Sequence, residues 1–343
     1  MKYRVLGASG LRVSQICVGT LMLSSWGRNS FDESEAIIRK ALDHGINYFD
    51  TADSYARGES EIFLGRALKN AGRRDRIILA TKVNSPMGPD PNSRGSSRRW
   101  IMRAVEESLK RLGTDWIDIY QLHRPDPCTD LEETVSVLQD LVQAGKIRYF
   151  GTSTFPASSL VEAQWVADRR GRSRPLVEQP PYSILAREIE REVLPTCAKY
   201  RLGVSVWSPL AGGWLSGKFT SEESVQTSRS RYWGARYDMS KRANQDKLKV
   251  VKKLADLCQE FSIELNVAAT AFVLNHPAVT SAIVGPRTIS HLDASLVAAD
   301  TKLPAEFLNE IDGIAPPGIT ISDDDSGYTF PAISETNMRR RHD

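Results

Sequence analysis

Eight short apolar runs suited to β-strands alternate with longer amphipathic runs suited to helices, and this alternation limits the possible folds more than any other feature of the chain. The strand-like runs are Ile16–Thr20, Ile46–Asp50, Ile77–Lys82, Ile117–Leu122, Ile147–Thr152, Leu176–Gln179, Val204–Trp207 and Thr280–Val284. Helical patterns cover Asp32–His44 (Asp32 as N-cap), Ser60–Asn70, Ser97–Leu112 (Ser96 or Ser97 as N-cap), Leu131–Gln143, Ser158–Arg169, Glu188–Tyr200, Asn244–Glu260, Val267–Asn275 and Ile289–Ala299. Apolar strands separated by helices imply a parallel sheet covered on both faces. Eight such units in 343 residues predict a closed (β/α)8 TIM barrel. An open dinucleotide-binding sheet lacks support, because no G-x-G-x-x-G follows the first strand.

Three segments fall outside the repeat. Tyr3–Val13, with Gly7-Ala8-Ser9-Gly10 between its apolar parts, reads as a β-hairpin able to plug one barrel end. Ser208–Lys241 is a long Gly-, Ser- and Arg-rich insertion after the seventh strand, suited to a functional loop and followed by the extra helices. The chain divides into one barrel over residues 1–313 and a C-terminal tail over 314–343, extended or partly disordered and placed over the barrel mouth.

Composition narrows the partners. A net charge of +3 gives no general affinity for nucleic acid or an anionic membrane. No run approaches 18 apolar residues, and the N-terminus lacks the apolar core of a signal peptide. Cys17, Cys128, Cys197 and Cys258 are scattered, which fits a reducing, cytoplasmic setting. Five histidines without paired spacing predict no metal site. Gly212–Lys218 begins like a P-loop, but Phe219 stands where Ser or Thr is needed. A chain of this length leaves both a monomer and a homo-oligomer open.

Active groups in such barrels stand at the C-terminal ends of the strands. Asp50 ends the second strand, Tyr55 lies in the loop after it, Lys82 ends the third strand and His123 follows the fourth. Singly, each has an ordinary structural role; at successive strand ends they form a set that can protonate a carbonyl oxygen as hydride reaches the carbon. A free tyrosine is too weak an acid at neutral pH, and a neighbouring ammonium lowers its pKa. Lys82 supplies that ammonium, Asp50 keeps it charged and aimed, and His123 orients the carbonyl. None of the four can carry hydride, so a nicotinamide cofactor is required.

GINYFDTADSY, ATK at Ala80–Lys82, IDIYQLHRPD, GTSTFP, VWSPLAGGWLSGK and IVGPRT, in this order, resemble the motifs of the aldo-keto reductase family from Tyr3 to Gly313. The resemblance is to the branch that includes bacterial oxidoreductases and potassium channel β-subunits. It implies NADPH, with NADH less favoured, and a reductase acting on aldehydes, ketones and the corresponding alcohols. It further implies that Thr20 and Leu21 border the nicotinamide ribose and that Ser153, Thr154 and Gln179 hold the carboxamide. Trp207 stacks on the nicotinamide, and Ser208, Pro209, Leu210, Gly212 and Lys218 line the pyrophosphate. Gly285 and Arg287 meet the adenosine phosphate, with Arg229 or Arg231 as a second arginine.

The chain departs from the family where His291, Ala294 and Ser295 replace the usual Gln, Glu and Asn; His291 and Ser295 are retained as cofactor-side candidates. Met22, Trp26, Pro86, Met87, Phe155, Trp214, Tyr232 and Trp233 are expected near the mouth. Trp26, Met87, Arg124, Phe155 and Trp214 are the principal candidates for a substrate pocket. Arg124 suits either an anionic substrate or Asp126. Trp100 is read as helix packing. The alternative function is a cofactor-occupied regulatory subunit with little turnover; His123 argues against it, because the channel β-subunits usually differ at that place.

Overall fold

The computed structural model describes residues 1–219, 221, 230 and 232–340. Strands β1 (Tyr3–Val5) and β2 (Arg12–Ser14) pair antiparallel as the expected hairpin. Strands β3 (Ile16–Gly19), β4 (Tyr48–Asp50), β5 (Ile78–Val83), β6 (Ile117–Leu122), β7 (Ile147–Ser153), β8 (Val177–Gln179), β9 (Gly203–Trp207) and β10 (Ser281–Val284) follow. They close into a parallel barrel in that order, with β10 against β3. The parallel register places Asp50 beside Gly19, Lys82 beside Gln121 and Ser153 beside Gln179, all toward one end.

Helices α1 (Phe31–Asp43), α2 (Glu59–Ala71), α3 (Arg98–Leu112), α4 (Leu131–Gln143) and α5 (Ala157–Arg169) return the chain between successive strands. Their apolar stripes bury against the outside of the barrel, where residues such as Ile37, Leu64, Ile101, Leu138 and Leu160 join the main core. Trp100 is buried there too, in the packing role expected of it.

Local chemistry sets the helix starts. Ser30, not Asp32, caps α1: its hydroxyl accepts from the Glu33 amide while Glu33 reaches back, a capping box that leaves Asp32 inside the first turn. Ser97 caps α3. The expected helix Glu188–Tyr200 is two pieces, a 3-10 turn at Glu188–Glu190 and α6 (Val193–Tyr200). Pro195 explains the break. It has no amide hydrogen and would clash with the carbonyl four residues back, costs that vanish only in a helix's first turn.

Helices α7 (Arg242–Glu260), α8 (Leu265–Asn275) and α9 (Ile289–Asp300) match the expected patterns, whereas α10 (Ala305–Ile314) was not anticipated. The tail continues through short turns to α11 (Pro331–Ser334) and passes over the mouth. No single described helix is long and apolar enough to cross a membrane.

The hairpin closes the other end. Leu6 is fully buried with Val13, Cys17, Tyr48, Ile119 and Leu176 in a cluster separate from the main core. Gly7 makes the fit possible: at φ 54°, a Cβ there would lie 2.6–2.8 Å from backbone atoms of Leu176, Arg201 and Gly203.

Candidate active site

At the open end, β4 and β5 carry a buried ion pair. Lys82 Nζ lies 2.6 Å from Asp50 Oδ2, with both side chains at most 3% exposed. The ammonium also donates to the Thr51 carbonyl at 2.7 Å and to Tyr55 Oη at 3.2 Å. Burial alone would favour the neutral amine. The Asp50 carboxylate and the Tyr55 oxygen outweigh it and hold the Lys82 pKa above its ordinary value.

Tyr55 opens a 3-10 turn, Tyr55–Gly58, in which Ala56 and Arg57 have φ of 46° and 56°. Two consecutive non-glycine residues in the left-handed region are strained, and this strained turn joins the tyrosine to α2. The His123 ring packs edge-on to Tyr55, centroids 5.6 Å apart, and Ser85 Oγ lies 3.4 Å from its Nδ1. Burial first, then the charges of Arg124 and Lys82, push the His123 pKa well below the usual imidazole range. The ring is therefore neutral at neutral pH and has one N–H to offer a carbonyl oxygen.

Asp50 has a further role. Its Oδ1 accepts from Gln179 Nε2 at 2.9 Å and from Gln121 Nε2 at 3.3 Å. Gln121 was not singled out from sequence, although an amide in the strand IDIYQL was a visible signal. Glu178 was missed too. Its buried carboxyl takes hydrogen bonds from the Thr152 hydroxyl and the Phe155 amide, and burial raises its pKa to about 7 against those contacts and the Arg124 charge. It thereby braces the turn at Thr154, whose φ is 61°.

The residues expected around a cofactor fall into three groups. Ser153, Thr154, Gln179 and Trp207 stand at the mouth with Asp50; Ser153 Oγ donates to the Gln179 carbonyl at 2.9 Å. Thr20 is buried beside them and bonds through its hydroxyl with Ser60 at 2.7 Å, while Leu21 next to it is half-buried.

Ser208, Pro209, Leu210 and Gly212 form the turn after β9, in which Ser208 and Ala211 have φ of 62° and 48°. Ser208 Oγ accepts from the Gly212 amide at 2.8 Å.

Lys218 and Arg287, from the loops after β9 and β10, come together with His291 in the first turn of α9: after burial, the first two charges lower the His291 pKa. Gly285 precedes this group, and Ser295 Oγ donates to the His291 carbonyl at 3.0 Å. Arg229 and Arg231 lie outside the described residues.

The expected pocket residues separate as well. Trp26, Tyr232 and Trp233 form one aromatic cluster, with Trp26 centroids 5.3 and 6.3 Å from the other two. Phe155 lines a cavity of about 460 Å³ with Tyr328, Phe330 and Pro331 of the tail. Met22 is buried, Met87 is half-buried and Pro86 is exposed.

Trp214 is not a pocket wall. It is fully buried, stacked on Tyr237 at 6.2 Å and beneath the Lys247 ammonium at 4.6 Å, so no face is left for a substrate.

The tail is fixed above the site by Asp325, which is bound by Arg236 at 2.6 Å and buried Lys247 at 2.9 Å. Gly327, at φ 79°, then lies against Trp207, where a Cβ would come within 2.6 Å of the indole.

A family model, the aldo/keto reductase family, matches residues 15–316. The chain belongs to this family. Among its relatives, the uncharacterized oxidoreductase YrpG of Bacillus subtilis is 39% identical over 329 residues, covering 92% of this chain and 96% of its own. The aldo-keto reductase YhdN of the same organism is 34% identical, covering 92% and 93%. A probable voltage-gated potassium channel subunit beta of Arabidopsis thaliana is 36% identical, covering 88% and 92%. Membership makes this aldo/keto reductase chain an oxidoreductase by family and accounts for the closed barrel. Among the described residues, no group of His, Cys, Asp or Glu is arranged to hold a metal ion.

Proposed function

We propose that the protein is an NADPH-dependent aldo/keto reductase in which Tyr55 protonates the carbonyl oxygen of a small aldehyde or ketone. The observation that carries this reading is the chain Asp50–Lys82–Tyr55, with hydrogen bonds of 2.6 and 3.2 Å, beside a neutral His123.

The residues fit a nicotinamide dinucleotide. Thr154 Oγ1 and Trp207 Nε1 are buried polar atoms without a hydrogen-bond partner among the described residues, a costly state that a polar ligand relieves. Ser153, Thr154 and Gln179 would hold its carboxamide, Thr20 and Leu21 its ribose edge, and Trp207 the face of its ring. Ser208, Pro209, Leu210 and Gly212 would follow the pyrophosphate. Lys218, Gly285, Arg287, His291 and Ser295 would take the adenosine end, where the grouped positive charge favours a 2′-phosphate and hence NADPH over NADH. When bound, the cofactor supplies the hydride that the protein lacks.

The side chains do the rest. The carbonyl oxygen sits between Tyr55 Oη and the His123 N–H. His123 orients it, and Tyr55 donates its proton as charge develops there. Lys82 stabilises the resulting tyrosinate, and Asp50 holds the ammonium in place and charged. Positioned acid catalysis of this kind contributes ~10²–10⁴-fold. In the reverse direction the same tyrosinate accepts the proton of an alcohol.

Titration of the purified protein with NADPH and with NADH, read by nicotinamide fluorescence, tests the cofactor assignment. Micromolar NADPH binding at least tenfold tighter than NADH is expected. Absence of binding to either nucleotide would refute the reading.

A further inference from the structure

We infer that Arg124 anchors a negative charge on the substrate, so that the enzyme favours short aldehydes or ketones that also carry a carboxylate; this rests on the reductase reading above. Arg124 directly follows His123 and donates through Nη1 to the His123 carbonyl at 2.5 Å, so its guanidinium is fixed in the wall that carries the carbonyl-orienting ring. It stands 5.6 Å from the centre of the Trp207 ring, across which the tail passes.

A half-buried guanidinium normally has an anion. Arg74, Arg111, Arg187 and Arg236 each enter the molecule and each meet a carboxylate, at 2.9, 2.6, 2.7 and 2.6 Å. Arg4 instead takes the Leu274 carbonyl at the C-terminal end of α8, where the helix dipole supplies negative charge, and the Val279 carbonyl beyond it. Arg124 has neither arrangement: among the described residues no carboxylate lies within 4.0 Å of it.

Asp126, its obvious partner, is committed elsewhere. The Asp126 oxygens accept from the Cys128 amide at 3.0 Å, the Thr129 hydroxyl at 2.8 Å and the Ser96 amide at 2.7 Å. Glu178 feels the Arg124 charge, but its oxygens accept from Thr152 and Phe155. The remaining contact of Arg124 is Nε to the Gly327 carbonyl at 3.1 Å, which leaves the Nη2 amino group without a hydrogen bond to the described residues. A carboxylate can meet Nη2 alone, or take Nε and Nη2 together by displacing one tail carbonyl, the planar fork for which guanidinium is suited.

Matched substrate pairs test this. With NADPH and the intact chain, kcat/KM is measured for 4-oxobutanoate against butanal and for 3-carboxybenzaldehyde against benzaldehyde. A charge-assisted hydrogen bond of this kind predicts a preference of roughly 10- to 100-fold for at least one charged member. Arg124→Gln should remove most of that preference, chiefly through KM, by lowering the charged substrate's kcat/KM about tenfold more than its neutral partner's.

Neutral partners reduced as well as both charged ones would overturn the inference and leave the reductase reading intact. An Arg124→Gln protein that loses charged and neutral activity in equal proportion would also overturn it, marking Arg124 as a clamp for the tail. Reduction of no carbonyl in either pair, despite bound NADPH, would overturn the inference together with the reading beneath it.

Discussion

The two ends of the barrel use the same scaffold in opposite ways. At the hairpin end, Leu6, Val13, Tyr48, Ile119 and Leu176 fill the interior with apolar side chains fitted closely around Gly7. At the other end, a few residues further along the same strands, the interior carries Asp50, Lys82, Gln121 and Gln179, all buried, with the Asp50 carboxylate hydrogen-bonded to each of the other three. Shape decides the first end. Pairing of the buried charges decides the second, because an unpaired charge at that depth would cost several kcal/mol. The division follows the general rule that barrels keep stability at the bottom and chemistry at the top.

Substitutions at the two ends should therefore have different consequences. Tyr55→Phe should have the largest effect, a fall in kcat of at least ~10²-fold with NADPH affinity nearly unchanged, since in the proposed reaction the lost hydroxyl serves the carbonyl oxygen and not the cofactor. Steady-state kinetics and fluorescence titration measure both. Leu6→Ala should do the reverse: it should destabilise the fold by ~2–5 kcal/mol in denaturant unfolding, through the cavity it leaves, while kcat below the transition stays within a factor of about two. A large loss of turnover in folded Leu6→Ala protein would show that the plug reaches the chemistry.

Glu178→Gln sharpens the boundary between the two roles. The folded carboxyl has its pKa raised from 4.5 to about 7. Its contribution to stability is therefore full below pH 4.5 and lost as pH rises through 7, by up to ~1.4 kcal/mol per pH unit. The Gln variant lacks that loss, so its stability relative to the parent should climb from pH 4.5 to 7. A constant difference across that window in unfolding experiments would show that Glu178 titrates normally.

The parts legible in sequence were those written in local pattern. Apolar runs such as Ile117–Leu122 announced strands, and the positions of Asp50, Lys82 and His123 at their ends followed directly, because barrel geometry converts a strand terminus into a place at the mouth. Helix α10 escaped because its ten residues are half polar and follow a proline, which reads equally well as a loop. Trp214 was misplaced for a different reason: an aromatic in a Gly-rich loop looks exposed until Tyr237 and Lys247, distant in sequence, close over it. The support given to Asp50 by Gln121, and to the Thr154 turn by Glu178, depends on which strands are neighbours, and no single strand records that.

The proposed reaction is the reduction of a carbonyl by NADPH with Tyr55 as the acid. The most direct test follows the nicotinamide absorbance of NADPH as the purified protein meets a panel of aldehydes, ketones and oxo acids. Oxidation that requires both protein and carbonyl and yields one alcohol for each NADPH consumed is expected. NADPH that binds tightly yet stays reduced across the whole panel would contradict it and would favour a cofactor-occupied regulatory subunit.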